Sequence, residues 1–135
     1  MPKTMQFLVR SVVRVHDGDT LTLILDRGFY DYSERTVRLS GIDAPELRQP
    51  TLAQGRKVRD AVAAWVRTHG ELNLISFLVD EKYGRVLGDL VPVVAPLGGG
   101  LADDLILNKL AKPYAGGTRA TWLPQDLKVV DDFIL

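Results

Sequence analysis

From Phe7 to Leu25 the chain reads FLVRSVVRVHDGDTLTLIL, and this stretch decides the fold. Its first part, Phe7 to His16, is rich in β-branched residues, which favour extended backbone. From Thr20 onward Leu21, Leu23 and Leu25 fall on one face, with Thr20, Thr22 and Ile24 on the other. A period of two is the mark of a strand with one buried face. Between the two runs stands Asp17-Gly18, a pair suited to a primed turn because glycine tolerates positive φ. The reading is a β-hairpin.

A third strand is expected from about Glu34 to Ser40, with Val37 and Leu39 facing one way and Thr36, Arg38 and Ser40 the other; Arg27-Gly28 begins the connection to it. Gly41 to Pro50, with two prolines and short polar residues, reads as a loop. Val58, Ala61, Val62, Trp65 and Val66 then recur at helical spacing, so residues 53 to 68 are expected as an amphipathic helix that Gly70 stops. A fourth strand (Leu72 to Val79), a tight Asp-Glu-Lys-Tyr-Gly turn and a fifth strand (Arg85 to about Val94) follow, with Pro92 suiting a frayed end or an edge.

Gly98-Gly99-Gly100 reads as a flexible link into a second helix marked by Ala102, Leu105, Ile106 and Leu110. Asp103 and Asp104 carry the favourable sign for its first turn, and Pro113 is expected to end it. Pro124, Leu127, Val130 and Ile134 suggest a short last helix. This order predicts an α+β, mainly β fold: a five-stranded Greek-key OB-fold barrel with two to three helices, forming a single domain over residues 1–135. Such barrels hold oligonucleotides, oligosaccharides or nothing, so the fold leaves function open.

Composition narrows the chemistry. The 135 residues are 46% hydrophobic and 25% charged, the balance of a globular chain able to bury a core. No apolar run reaches the ~18 residues of a membrane helix, so no membrane association is expected. The opening Met-Pro-Lys-Thr-Met lacks the apolar segment and cleavage site of a secretory signal. The expected location is cytoplasmic if this is the native start, and outside the cell if a leader has been removed. With no cysteine, any metal must rest on oxygen or on the two histidines, and no disulfide or thiolate site is possible. Seventeen basic residues balance seventeen acidic ones, which argues against coating nucleic acid by bulk positive field.

Three short motifs carry the chemistry. Asp17-Gly18-Asp19-Thr20 puts two carboxylates at a turn, where aspartate also belongs for local hydrogen bonding alone. Arg38-Leu-Ser-Gly-Ile-Asp-Ala-Pro-Glu46 follows a strand arginine with two acids that Pro45 holds near each other. Carboxylates held close repel, and a bound cation is a common remedy. Lys82-Tyr83-Gly84-Arg85 is the third, and by itself reads equally well as an ordinary turn. His16 and His69 have no partner at metal-ligand spacing, and Asp103-Asp104 reads as helix-start charge.

In this order and spacing, over about Val12 to Tyr114, the three motifs resemble the staphylococcal nuclease (thermonuclease) family, with its DGDT, R-x-x-x-x-D-x-P-E and K-Y-G-R segments. The resemblance implies that Asp19 and Asp43 ligate Ca²⁺ together with the backbone carbonyl of Ala44. It implies that Glu46 orients or deprotonates the attacking water, and that Arg38 and Arg85 grip the scissile phosphate. Lys82, Tyr83 and, near a tyrosine of the family, Tyr114 would lie against the nucleotide. The implied activity is calcium-dependent hydrolysis of DNA and RNA with little sequence specificity, leaving 3′-phosphate and 5′-hydroxyl ends. Single strands are expected to be preferred, and no protein partner is predictable. Ala44 stands where the family commonly has threonine, and the turn before Lys82 is short. The alternative is a catalytically silent barrel of the same family that binds nucleic acid or protein; the full acidic and arginine set favours the enzyme.

Overall fold

The computed structural model describes residues 4–77, 84–94 and 99–135. Five strands close into a barrel: β1 (Thr4–Asp17), β2 (Thr20–Asp26), β3 (Tyr32–Leu39), β5 (Leu72–Phe77) and β6 (Val86–Pro92). Around the barrel the order is β1-β2-β3-β6-β5, and β5 returns to β1. The pairs are antiparallel except β3 with β6, which run parallel from Val37↔Val86 to Leu39↔Gly88. This is the OB-like, mainly β α+β class that the hydrophobic pattern predicts.

Closure depends on β1. Its first residues pair with β5 and its remainder with β2, and Leu8 takes part in both ladders. Three register shifts along the β2 pairing, between Val9 and Ser11, Val12 and Arg14, and Val15 and Asp17, bend the strand around the barrel. Leu21, Leu23, Leu25, Val37, Leu39, Leu74 and Leu90 point inward and are buried, so the alternation read from β2 and β3 is the true core pattern. Helix α1 (Leu52–Thr68) adds Val58, Ala61 and Val62 to that core.

Two small elements fall where the sequence reads as irregular. Within the expected loop Gly41 to Pro50, Ile42–Asp43 forms β4 and pairs with β7 (Lys112–Pro113). Helix α2 (Leu101–Leu107) stops well before Pro113, because Lys109 adopts a positive φ of 60°. The Leu110 amide then donates to Leu105 O (2.8 Å) and Lys109 N to Ile106 O (3.0 Å), the two bonds of a Schellman ending. Leu110 is buried as expected, but from the turn after the helix. Helix α3 (Pro124–Asp132) contributes Val130 to the core and ends before Ile134.

The hairpin turn is also built differently. Neither Gly18 nor Asp19 has a positive φ, so the turn is not of the primed type. Gly18 is needed for room: a Cβ there would lie 2.6 Å from both Ala44 Cβ and Val58 Cγ1. The β1–β2 turn, the β4 loop and α1 are thereby packed tightly together. The end of the expected fourth strand beyond Phe77, the turn with Lys82 and Tyr83, and Gly98 lie outside the described residues.

Candidate active site

Asp19 is the second residue of the hairpin turn, just before β2, and is buried to 4% exposure. Its Oδ2 accepts the Ala44 amide (3.1 Å), its Oδ1 accepts the Thr20 hydroxyl (3.1 Å), and its backbone oxygen accepts Leu39 N (2.8 Å). These bonds tie the turn to β3 and to the segment after β4. Burial raises the Asp19 carboxyl to about 6, helped by neighbouring Asp17 and opposed by Arg38 and the Ala44 amide.

Asp43 is the second buried carboxylate, at 1% exposure, placed by the β4–β7 pairing. Glu46 follows on the loop to α1 and remains partly exposed. That loop is fixed from behind: the Thr51 hydroxyl donates to Glu46 O (2.9 Å), and α1 meets the loop at Gly55, where a Cβ would come within 2.6 Å of the same oxygen.

Arg38 alternates away from the core, yet its side chain is only 12% exposed. Nη1 donates to Leu39 O (2.8 Å) and Nη2 to Ile42 O (3.0 Å), and Nη1 stands 3.5 Å from Asp19 Oδ2. Tyr114 covers it, with the guanidinium carbon 5.9 Å from the ring centroid. Tyr114 itself is anchored by its amide to Gly41 O and by its hydroxyl to Gly117 O, each 2.9 Å. The strand arginine is therefore a clamp on the acidic loop rather than a solvated side chain.

Arg85 is partly buried and directly precedes Val86, the residue paired with Val37 next to Arg38. The parallel β3–β6 ladder thus sets Arg85 just before the strand that neighbours the one carrying Arg38. Lys82 and Tyr83 lie outside the described residues.

The residue that sequence reasoning missed is Arg119. Its Nη2 bonds Asp43 Oδ1 and lies 3.8 Å from Asp19 Oδ2, while Nη1 lies 3.1 Å from Glu46 Oε1. One guanidinium thus gathers all three carboxylates. Burial opposes its charge, but the hydrogen bond and the charge of Asp43, with Asp19 and Glu46, raise its pKa overall. Arg48 also pairs with Glu46. Arg119, Ala44 and Glu46 line two open cavities of about 320 and 270 Å³. A larger cavity of about 430 Å³ lies between β1 and α1. Its walls hold Arg10, Arg14 and Arg67.

Among the described residues no group of three or more His, Cys, Asp or Glu is placed to hold a metal ion. Asp19 and Asp43 both meet one cationic nitrogen, Nη2 of Arg119. An all-oxygen pair of this kind fits Ca²⁺, which accepts loose geometry and completes its shell with carbonyl and water oxygens. His16 bonds Thr22 Oγ1 (2.7 Å), with its pKa lowered by burial and by Arg14, and His69 stacks on Trp65 at 4.1 Å. Asp104 accepts the Trp65 indole N–H at 2.7 Å. Among the described residues no helix is long and apolar enough to cross a membrane.

No family model matches the chain. Protein ParB of Escherichia coli is 44% identical to it over 82 residues, which cover 57% of this chain. The chain spans only 38% of that protein's length, so the similarity is to part of a longer molecule.

Proposed function

We propose that the protein is a calcium-dependent nuclease that hydrolyses phosphodiester bonds of single-stranded DNA and RNA. The observation that carries this reading is the gathering of Asp19, Asp43 and Glu46 around the Arg119 guanidinium, with Arg38 beside Asp19. Burying carboxylates without purpose is costly, and a site that must hold positive charge against a phosphate gives them one.

Calcium, when bound by Asp19, Asp43 and the Ala44 carbonyl, supplies charge against a phosphoryl oxygen. The chain's own residues do the rest. Arg38 and Arg85 would meet the phosphate with planar guanidinium groups, a match to phosphate oxygens that lysine cannot reproduce. Arg38 would do so by way of the N–H groups that its bonds to Leu39 O and Ile42 O leave over. Glu46 accepts a hydrogen bond from the attacking water at its carboxylate and takes the proton as the new P–O bond forms. The bond from phosphorus to the 5′ oxygen breaks, that oxygen gains a proton from solvent, and the 3′ end keeps the phosphate. Arginine holds its proton too tightly to donate it, so Arg85 stabilises the leaving oxygen by charge alone. With phosphate and sugar rather than base edges as the handles, little sequence preference is expected.

The test is degradation of end-labelled single-stranded DNA with Ca²⁺ and then with an excess of chelator. Cleavage with Ca²⁺ that stops on chelation is the expected result. Cleavage that ignores the chelator would remove Asp19 and Asp43 from a metal role. Retention of the strand without cleavage in Ca²⁺ would make the protein a binding module.

A further inference from the structure

We infer that Arg119 is a built-in counter-cation that holds the carboxylate cluster together until a divalent ion displaces it. This rests on the proposed function in one respect, that a divalent ion occupies Asp19 and Asp43. Everything else is read from Arg119 itself. Its Nη2 faces Asp43 Oδ1 and Asp19 Oδ2, on the two carboxylates that would hold the ion, and its Nη1 faces Glu46. Two cations cannot share those oxygens, because their repulsion at contact distance in a partly buried site is large. Binding of the ion therefore requires the guanidinium to leave.

The segment that carries Arg119 is suited to that movement. It is anchored at one end by Tyr114 on Gly41 and at the other by Lys112, which bonds both Thr121 O (2.7 Å) and Asp126 Oδ2 (2.6 Å). Between the anchors Gly116 and Gly117 take φ values of +97° and +80°, and a Cβ at either would meet nothing within 4 Å. Glycine turns in open space can rotate at little steric cost. The Arg119 side chain is itself 48% exposed, so its outer face has water to move into. The carboxylates gain a partner in the metal-free chain, and the metal meets a competitor.

Arg119 is accordingly a positioning residue, and charge removal should strengthen metal binding rather than weaken it. The experiment titrates the wild-type protein, Arg119→Gln and Arg119→Lys with Ca²⁺ alone by calorimetry, following thermal unfolding in parallel. Arg119→Gln is expected to bind Ca²⁺ about 10-fold or more tightly. It should unfold at a lower temperature than wild type without Ca²⁺ and recover on its addition, while Arg119→Lys stays near wild type. Binding by wild type with equal or weaker binding by Arg119→Gln would overturn the inference and leave the metal reading intact. No binding by any form would overturn both.

Should Arg119→Gln fail to fold, the wild-type guanidinium reports directly. Its ¹⁵N NMR signals, assigned with Arg119→Lys, are expected to show hindered rotation without Ca²⁺ and averaging once it is saturating. Hindered rotation that persists in saturating Ca²⁺ would contradict displacement.

Discussion

Asp43→Asn is expected to lower calcium-dependent cleavage of single-stranded DNA on the order of 10²- to 10³-fold while the barrel remains folded. The substitution keeps the shape of a side chain that is 1% exposed, so packing is preserved. It removes one of the two carboxylates available for an ion, and with it much of the charge stabilisation at the phosphate. Breaking a buried ion pair often costs 3–5 kcal/mol because the remaining charge is stranded. Here the charge left behind is Arg119, about half exposed and still near Asp19 and Glu46. The stability change should stay within about 1–2 kcal/mol, since the aspartate's own desolvation is also relieved. Cleavage rates beside thermal unfolding curves check this. Undiminished cleavage by a folded variant would take Asp43 out of the site.

Gly55→Ala sets two effects against each other. Alanine favours helix over glycine by about 1 kcal/mol, and Gly55 lies inside α1. Its Cβ, however, would lie 2.6 Å from Glu46 O, 2.9 Å from Glu46 C and 3.0 Å from Pro45 O. Those are backbone atoms of a loop tied to Thr51, so they cannot turn aside as a flexible side chain could. Overpacking of this kind costs up to ~3 kcal/mol, and the clash should win by about 1–2 kcal/mol, lowering Tm by roughly 3–8 °C. The loop that yields carries Glu46, and a shift of about 1 Å in a reacting group can cost ~10²-fold in rate. Loss of both stability and cleavage is expected. A more stable variant with unchanged cleavage would show that α1 does not position Glu46.

The barrel was legible because its core obeys simple periods. Leu21, Leu23 and Leu25 alternate along β2, and Val58, Ala61 and Val62 recur along α1, and all are buried. The small elements were not legible for equally physical reasons. A two-residue strand such as Ile42–Asp43 is too short to show any period, and its partner Lys112–Pro113 lies far along the chain. The end of α2 rests on a lysine in a left-handed conformation, which composition does not announce. The glycine of the hairpin turn was rightly marked as special, but for the wrong reason: contact with Ala44 and Val58, not φ, requires it.

The site shows the same division. The resemblance brought Asp19, Arg38, Asp43 and Glu46 into one reading, and local spacing supported it in that a strand and the loop after it carry three of them. Alternation placed Arg38 opposite the core, but it cannot distinguish solvent from a second layer such as Tyr114. Arg119 stands 76 residues from Asp43 and belongs to no motif. The one available signal was electrostatic: two buried carboxylates require a cation, and the sequence reading assigned that place to a metal without asking which arginine could also fill it.

The most direct test is a crystal structure of the protein with Ca²⁺ and a short single-stranded oligodeoxynucleotide. The account predicts an ion bonded to the carboxylates of Asp19 and Asp43 at about 2.3–2.6 Å, with a backbone phosphate met by Arg38 and Arg85. An ion bound elsewhere, or nucleic acid seated along the Arg10, Arg14 and Arg67 groove while Arg119 stays on Asp43, would contradict it.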